Sequence, residues 1–215
     1  AKLTEKPINS TNIAFNVVPR INASGRLSFS KKLVQLLTSE NQLEVQNIAT
    51  QVEDDNIKRK EIENEILLQA EELLKNEPVR AYQRVLIVEG ENWHPGVIGI
   101  VAARLLEKYG KPTVVISKMG DVARGSCRSI EGFSLYEAIK TCAKYLVRFG
   151  GHPLAAGFEL KCDDLNKFKN DINNFAKNFG VMPCLSLNID CKLNSEALSL
   201  DLIEQLDPLE PFGKD

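Results

Sequence analysis

Residues 84–117 read RVLIVEGENWHPGVIGIVAARLLEKYGKPTVVIS, and this stretch decides the fold class. Its two ends, Arg84 to Glu89 and Thr113 to Ser117, are short apolar runs rich in β-branched residues, which predict buried strands. The segment between them predicts a helix, because Pro95 suits a first helical turn and Gly110 suits the position just after a last turn. A strand, a helix and a strand in this order predict two parallel strands of an α/β domain.

The α/β pattern continues downstream of this unit. Further elements are predicted as strands at Val122–Arg128, Ala155–Lys161 and Leu185–Leu193, and as helices at Ser134–Val147 and Asp163–Asn178. We therefore expect an α/β architecture whose sheet lies between residues 84 and 193.

The flanking regions differ in composition. The chain up to Arg26 is rich in Asn, Pro and Ser and is expected to be loop-like. A short amphipathic helix is predicted next, with Ser28 or Ser30 as its N-cap. A long, highly charged helix is predicted at 43–76 and interpreted as a connector between domains. The closing residues 201–215 are expected to begin a linker.

The overall composition is that of a globular protein, with 215 residues, 43% hydrophobic, 26% charged and a net charge of −2. It excludes the collagen-like, wholly disordered and disulfide-scaffold classes. No apolar run reaches the roughly 18 residues of a membrane helix, and the first residues lack the apolar core of a signal peptide. The five cysteines have no CxxC spacing, which indicates reduced thiols in a cytosolic protein.

Three short constellations carry the candidate chemistry, and all lie in or at the edge of a basic segment, 101–152, that separates two acidic ones. Such a charge pattern indicates that an anion docks there. The first constellation is Asn92 to Gly99, where the first strand turns into its helix and backbone N–H groups can hold a phosphate. The alternative is a plain helix start in which His94 is a cap, and the pattern leaves both open.

The second constellation is the sequence ARGSCRS at 123–129. Two arginines, two hydroxyls and a glycine suit phosphate binding, because Arg donates two parallel hydrogen bonds and Gly allows close backbone approach. If this segment is a strand, Arg124, Ser126 and Arg128 share one face. The alternative is a solvated edge strand with ordinary surface arginines, and the local positive charge favours the anion site.

The third constellation runs from Arg148 to Pro153 and contains a Gly-Gly pair followed by His152. The glycines let a substrate approach the main chain, and the histidine can donate to a phosphate or assist proton transfer. The alternative is a tight turn after a helix with a surface histidine. Neither this segment nor the others complete a catalytic site, since the sequence has no HExxH and no nucleophile elbow.

Three segments resemble successive motifs of the RecJ family: NWHPGVIGIVAARL (92–105), GSCRS (125–129) and FGGHPLAAGF (149–158). This family consists of bacterial single-strand-DNA-specific 5′→3′ exonucleases of the Asp-His-His phosphoesterase superfamily. VPRINASGRL (18–27) resembles the end of the family's catalytic domain, and LEPFG (209–213) resembles the start of its oligonucleotide-binding barrel. The resemblance covers essentially the whole chain in the family's order.

The resemblance implies four parts of the chain. These are the tail of an N-terminal catalytic domain (1–27), a helical connector (28–78), the associated substrate-binding α/β domain (79–195) and the start of a linker to the barrel (196–215). The associated domain is expected to have a mixed sheet with flanking helices. Family members hold two Mn²⁺ or Mg²⁺ ions on aspartates and histidines of the N-terminal domain, so this chain is expected to hold none and to be inactive alone.

The resemblance also implies roles for particular residues. Ser126 and Arg128 would hold the 5′ phosphate, while the Gly150-Gly151-His152 segment would hold the nucleotide near the scissile bond, with catalytic support from His152. Arg20 or Arg26 is expected to reach the same phosphate. The complete set of candidate substrate-binding residues is Arg20, Arg26, His94, Arg124, Ser126, Arg128, Ser129, Gly150, Gly151 and His152.

The implied function is hydrolysis of single-stranded DNA from a 5′ end in DNA repair and recombination, in the bacterial cytoplasm and away from membranes. A helicase and a single-strand-binding protein are the expected partners. One alternative is a small-nucleotide or oligoribonucleotide phosphodiesterase of the same superfamily, against which the long connector and the barrel segment argue. The other alternative is a non-catalytic nucleic-acid-binding module.

Overall fold

The computed structural model describes residues 8–27, 31–186, 189 and 191–209. The chain divides into two compact units, one comprising Ala1–Asn56 with Ser186–Asp215 and the other comprising Ile57–Leu185. The predicted four-part division stays a prediction. Within the described residues the α-helices are α1 (Ser10–Asn12), α2 (Val18–Leu27), α3 (Lys31–Thr38), α4 (Gln42–Asn76), α5 (Pro78–Tyr82), α6 (Ile98–Tyr109), α7 (Leu135–Thr141), α8 (Leu165–Asn178) and α9 (Leu200–Leu206).

One five-stranded sheet forms the centre of the unit Ile57–Leu185. Its strands are β1 (Leu86–Glu91), β2 (Thr113–Met119), β3 (Val122–Arg128), β4 (Leu146–His152) and β5 (Ala155–Lys161). They are ordered β1-β2-β3-β5-β4, with β1 and β2 parallel and the other neighbours antiparallel. The expected mixed sheet with flanking helices is confirmed, as is its parallel strand pair.

The two faces of the sheet are covered differently. Side chains alternate along β3, and its buried face, with Ala123 and Cys127, joins a core that includes residues of α7 and α8. In that core the ring of Phe158 packs on Phe168, with 4.4 Å between their centroids. Helix α6 packs against β2 and β3 on the opposite face. Gly110 ends α6 in the left-handed conformation, as its position in the sequence predicts.

Contacts between α4 and α6 hold α6 in place. The buried carboxylate of Glu63 accepts from Nε of Arg104 on α6 at 2.7 Å and pairs with Arg59 one turn earlier on α4. The loop before α6 is held as well, since Nε1 of buried Trp93 donates to Oε1 of Gln69 on α4 at 2.6 Å. A buried carboxylate with two guanidinium partners keeps its charge compensated, and the N-terminus of α6 is thereby fixed against the sheet.

The loop-like prediction for the start of the chain is wrong over the described residues. Residues 10–27 are helical, with a π-helical turn at Ile13–Val17 between α1 and α2. The helix is favoured by packing, because Ala23 and Ser24 are buried and the Ser24 hydroxyl donates to Asp55 at 2.8 Å. Tertiary contacts of this kind outweigh the weak helix propensity of Asn, Pro and Ser.

The predicted helix Ser134–Val147 is too long, and the strand that follows it is missing from the prediction. The helix ends at Thr141, a 3₁₀ turn spans Ala143–Tyr145, and β4 begins at Leu146. Glycines and a nearby proline conceal β4 in the sequence, since they have low strand propensity. The strand forms because it pairs with β5.

The predicted last strand, Leu185–Leu193, is also wrong wherever it can be assessed. Its described residues, 185, 186, 189 and 191–193, have no strand structure, and residues 187, 188 and 190 lie outside the described part. Leu185, Ile189 and Leu193 are exposed, so no sheet covers the apolar side chains that prompted the prediction. The expected N-caps Ser28 and Ser30, and most of the LEPFG segment, also lie outside the described residues.

Candidate functional site

Strand β3 presents Arg124, Ser126 and Arg128 on one face of the sheet, as the period-2 pattern predicts. All three side chains are at least partly exposed, whereas the alternating Gly125 and Cys127 are buried. The exposed face borders a cleft of about 330 Å³ on the side of the sheet that carries α6. The cleft is lined by Pro95, Ile98, Arg124, Gly125, Ser126, Arg148, Phe149, Gly150, Gly157, Phe158 and Glu159.

Ser126 and Arg128 lie side by side against the first turn of α6. Nη1 of Arg128 donates to the Cys127 carbonyl at 2.7 Å and lies 3.4 Å from the Ser126 hydroxyl. A Cβ on Gly99 would stand only 2.9 Å from that hydroxyl and 3.2 Å from Nη2 of Arg128. The glycine therefore makes room for both side chains, and a sheet arginine, a hydroxyl and a helix N-terminus meet at one point.

The first turn of α6 supplies backbone donors at this place. Within the described part of the chain the N–H of Gly99 has no hydrogen-bond acceptor, as is usual for the first residues of a helix. Unpaired N–H groups and the positive end of the helix dipole attract anions. The combination of Gly99, Ser126 and Arg128 can therefore hold a phosphate with three kinds of donor.

His94 holds the loop that leads into α6. Its Nδ1 accepts from the N–H of Gly96 at 3.1 Å, and its carbonyl accepts from Val97 and Ile98. The helix therefore begins at Ile98 and not at Pro95 as predicted. The N-cap of α6 is Val97, without a side-chain cap hydrogen bond, so His94 is not the helix cap that the alternative expected. Its ring is bound within the loop and does not line the cleft.

Ser129 has a structural contact of its own. Its hydroxyl donates to the carbonyl of Phe133 at 2.5 Å, closing the turn after β3. The neighbouring N–H of Ser129 donates to the carbonyl of Leu154. Ser129 thus supports the loop beside the GSCRS segment and does not line the cleft.

The Gly-Gly pair belongs to strand β4, so the tight-turn alternative for this segment is wrong. Gly151 has φ of +145°, and a Cβ there would stand 2.4 Å from the carbonyl oxygen of Ala155, so only glycine fits. Gly150 is different, because a Cβ there would meet nothing within 4 Å. Gly150 leaves open space at the cleft, and His152 is exposed at the end of the same strand.

The sequence analysis did not predict two of the residues that line the cleft. It named Arg148 only as the start of the third constellation, not as a binding residue, and it did not name Glu159. Glu159 on β5 accepts from Nε of Arg124 at 2.8 Å and from Nη2 of Arg148 at 2.7 Å. These hydrogen bonds, first that of Arg148 and then that of Arg124, lower the pKa of the Glu159 carboxyl. Only the pairing of β5 with both β3 and β4 reveals this triad, because its members are far apart in sequence.

Arg20 and Arg26 lie on α2 in the other compact unit. Arg20 is bound to Glu53 of α4, with 3.0 Å between Nη2 and Oε1, and Arg26 is an exposed residue of the last turn. Their expected contact with the same phosphate stays a prediction. The structure brings Arg124, Ser126 and Gly150 together around one cleft, and Arg128 lies next to Ser126.

No metal centre is formed by the residues that the structure describes. They contain no group of three His, Cys, Asp or Glu side chains placed to hold an ion. The cleft itself has arginines and a single carboxylate, a donor set that suits an anion and not a divalent cation. In the described ranges no helix is long and apolar enough to cross a membrane.

Comparison with known proteins shows what the whole chain is similar to. Residues 81–178 match the DHHA1 domain family. The chain is 32% identical, over 95% of its length, to the single-stranded-DNA-specific exonuclease RecJ of Bacillus subtilis. Crystal structures of Thermus thermophilus RecJ in complex with Mg²⁺ and with Mn²⁺ superimpose on 95% of the chain, each with a TM-score of 0.84, at 29% and 30% identity. Over nearly its whole length, the chain is similar to part of these RecJ proteins.

The match covers only part of each RecJ protein. The chain spans 26% of the Bacillus subtilis RecJ and 32% and 30% of the two Thermus thermophilus RecJ chains. The Bacillus subtilis relative is named as a single-stranded-DNA-specific exonuclease, and the Thermus thermophilus structures are in complex with Mg²⁺ and Mn²⁺. The described residues of this chain contain no group of three His, Cys, Asp or Glu side chains placed to hold such an ion.

Proposed function

We propose that this chain is the phosphate-binding part of a RecJ-family exonuclease that degrades single-stranded DNA from its 5′ end. The observation that carries the proposal is the close approach of Gly99, in the first turn of α6, to the neighbouring Ser126 and Arg128 side chains beside an open cleft. In this proposal Ser126 and Arg128 hold the 5′ phosphate. The match to RecJ exonucleases supports the substrate class.

The residues of the cleft bind and orient the strand. The Arg128 guanidinium and the Ser126 hydroxyl donate to phosphate oxygens, and the N-terminus of α6 adds favourable electrostatics. The space at Gly150 accommodates the first nucleotide, and exposed His152 lies at its side as a donor to the same nucleotide. Fixing the end of the strand places a particular phosphodiester bond for attack and reduces the entropy cost of the reaction.

Hydrolysis needs a further component in this proposal. The described residues offer no carboxylate–histidine cluster for a metal, so we assign no step of bond cleavage to this chain. A metal-bearing part of the whole protein, using Mn²⁺ or Mg²⁺, would carry it. The 215-residue chain alone is expected to bind DNA without degrading it, even with Mn²⁺ present.

The cellular role follows from the same proposal. A 5′→3′ single-strand exonuclease serves DNA repair and recombination in the bacterial cytoplasm. Because it acts on unpaired strands, a helicase and a single-strand-binding protein are its expected partners. Support for these assignments is the family relationship alone.

Fluorescence anisotropy of the 215-residue chain with single-stranded DNA at low salt tests the proposal. We expect tighter binding of a 5′-phosphorylated end than of a 5′-hydroxyl end. Arg128→Ala should remove that preference, because one charge-assisted contact contributes roughly 1.5–3 kcal/mol, about ten- to a hundredfold in affinity.

The matched control is Arg80→Ala. Arg80 lies on α5, where it pairs with Glu77, and it does not line the cleft. It should leave the end preference unchanged. Equal affinity of the wild-type chain for both ends would contradict the assignment of Ser126 and Arg128 to the 5′ phosphate.

A further inference from the structure

The cleft contains a second group of cationic side chains, separate from Ser126 and Arg128. Arg124 on β3 and Arg148 on β4 both donate to Glu159 on β5, which lies between them in the sheet. All three line the cleft. Two guanidinium groups and one carboxylate leave a net charge of +1 at this point, so the group as a whole attracts an anion.

The two arginines keep donors for a ligand. Arg124 uses only Nε on Glu159, and Arg148 uses Nε and Nη2. Among the described residues the remaining terminal nitrogens of both side chains have no hydrogen-bond acceptor. Their side chains are 44% and 69% exposed, whereas that of Glu159 is 15% exposed. The carboxylate thus sits beneath two guanidinium groups whose free donors are accessible.

The second group is displaced along β3 from the proposed 5′-phosphate site. Arg124 and Arg128 are four residues apart on one strand face, which corresponds to about 13 Å at the usual rise per residue. The two guanidinium groups are held by different partners, Arg124 by Glu159 and Arg128 by the Cys127 carbonyl and the Ser126 hydroxyl. Gly157, which lacks a side chain, and the open space at Gly150 lie in the same cleft beside Arg124 and Arg148.

We propose that Arg124 and Arg148, oriented by Glu159, form a second subsite that binds an internal phosphate of the single strand. The inference rests on the proposed function and extends it from the end of the strand to its backbone. Glu159 is a positioning residue here, because it fixes two flexible guanidinium groups and touches no substrate atom. Its carboxylate also limits the positive charge, which restrains non-specific binding.

Salt-dependent binding tests the subsite. The affinity of the 215-residue chain for oligothymidylates of increasing length, with a 5′ phosphate or a 5′ hydroxyl, is measured by anisotropy over a range of salt concentrations. Arg148→Gln and Arg124→Gln should each weaken binding about three- to tenfold for both kinds of end once the oligonucleotide is long enough. Each should also reduce the slope of log affinity against log salt by about 0.7.

Two further variants sharpen the test. Arg80→Gln is the matched control, since Arg80 donates Nε and Nη2 to Glu77 as Arg148 does to Glu159, yet lies outside the cleft. It should behave as wild type. Glu159→Gln keeps the shape of the side chain and removes its charge, so it should make the salt slope steeper.

The possible outcomes separate this inference from the proposed function. If Arg124→Gln and Arg148→Gln match Arg80→Gln, or weaken only phosphorylated ends, the second subsite is refuted while the 5′-phosphate site stands. If both weaken all long oligonucleotides but Arg128→Ala has no effect, the subsite stands and the 5′-phosphate assignment falls. Absence of DNA binding by the wild-type chain would refute both.

Discussion

Gly99→Ala is a test of how closely the first turn of α6 approaches the candidate phosphate site. The new Cβ would stand 2.9 Å from the Ser126 hydroxyl, 3.2 Å from Nη2 of Arg128 and 3.7 Å from Cβ of Ser126. The first two neighbours are ends of side chains that rotate away, so the backbone of α6 and β3 can stay in place. The substitution should therefore disturb the site and spare the fold.

The expected change in stability is small because two terms offset each other. Alanine in place of glycine favours a helix by about 0.5–1 kcal/mol. Rotating the Ser126 and Arg128 side chains away from their observed positions costs roughly 0.5–1.5 kcal/mol. We expect the free energy of unfolding to change by less than about 1 kcal/mol, while the preference for a 5′-phosphorylated strand falls by about tenfold or more.

Gly125→Ala provides the contrasting variant. Its Cβ would stand 2.1 Å from the ring of Phe158, which is buried and packed on Phe168 and cannot step aside. This overpacking should lower the free energy of unfolding by about 1–3 kcal/mol. Urea denaturation measures the stability of both variants, and DNA anisotropy measures the end preference. The reasoning would be refuted if the Gly99→Ala variant kept the full preference for a 5′-phosphorylated strand. It would also be refuted if this variant lost as much unfolding free energy as Gly125→Ala.

Three other predictions concern single positions. Gly151→Ala should lower the free energy of unfolding, measured by urea denaturation, by about 1–3 kcal/mol, because φ of +145° strains alanine and the new Cβ would meet the Ala155 carbonyl. Gly150→Ala is the control. Its Cβ would meet nothing within 4 Å, so the free energy of unfolding should change far less. The pKa of Glu159 is lowered from its ordinary value of 4.5, so its ion pairs stabilise the fold fully at pH values above 4.5. This stabilisation is lost as the pH falls through the lowered pKa. Glu159→Gln should therefore flatten the acid side of a plot of unfolding free energy against pH, and an unchanged profile would contradict this. Burial raises the pKa of the Cys127 thiol, so Cys127 should react with a disulfide reagent only when the chain unfolds. Exposed Cys184 and Cys191 should react at once. Rapid labelling of Cys127 in the folded chain would contradict its burial.

Local patterns in the sequence were sufficient for several of the regular elements. Strands β3 and β5 have the bounds that were predicted, Gly110 ends α6 in the left-handed conformation, and α4 begins and ends within one residue of its prediction. Each of these signals depends on neighbouring residues, such as a period of 2, a period of 3.6, or a glycine where φ is positive. The alternation along β3 also placed Arg124, Ser126 and Arg128 on one face.

Strand β4 shows where local patterns fail. Its glycines and neighbouring proline have low strand propensity, and the strand forms because β5 offers a free edge. The same limit applies to residues 185–193, where an apolar run predicted a strand but the described side chains have no sheet to cover them. Whether a segment pairs depends on the partner that the fold supplies.

The sequence by itself determined that the chain is an α/β protein, that its GSCRS, GGH and NWHPG segments are the candidate site, and that it resembles the RecJ family. Only the tertiary structure decided how these segments meet. The sheet order joins Arg124, Arg148 and Glu159 across three strands, and the packing of α6 brings Gly99 against Ser126 and Arg128. Contacts between residues distant in sequence depend on strand register and helix packing, which no local pattern encodes.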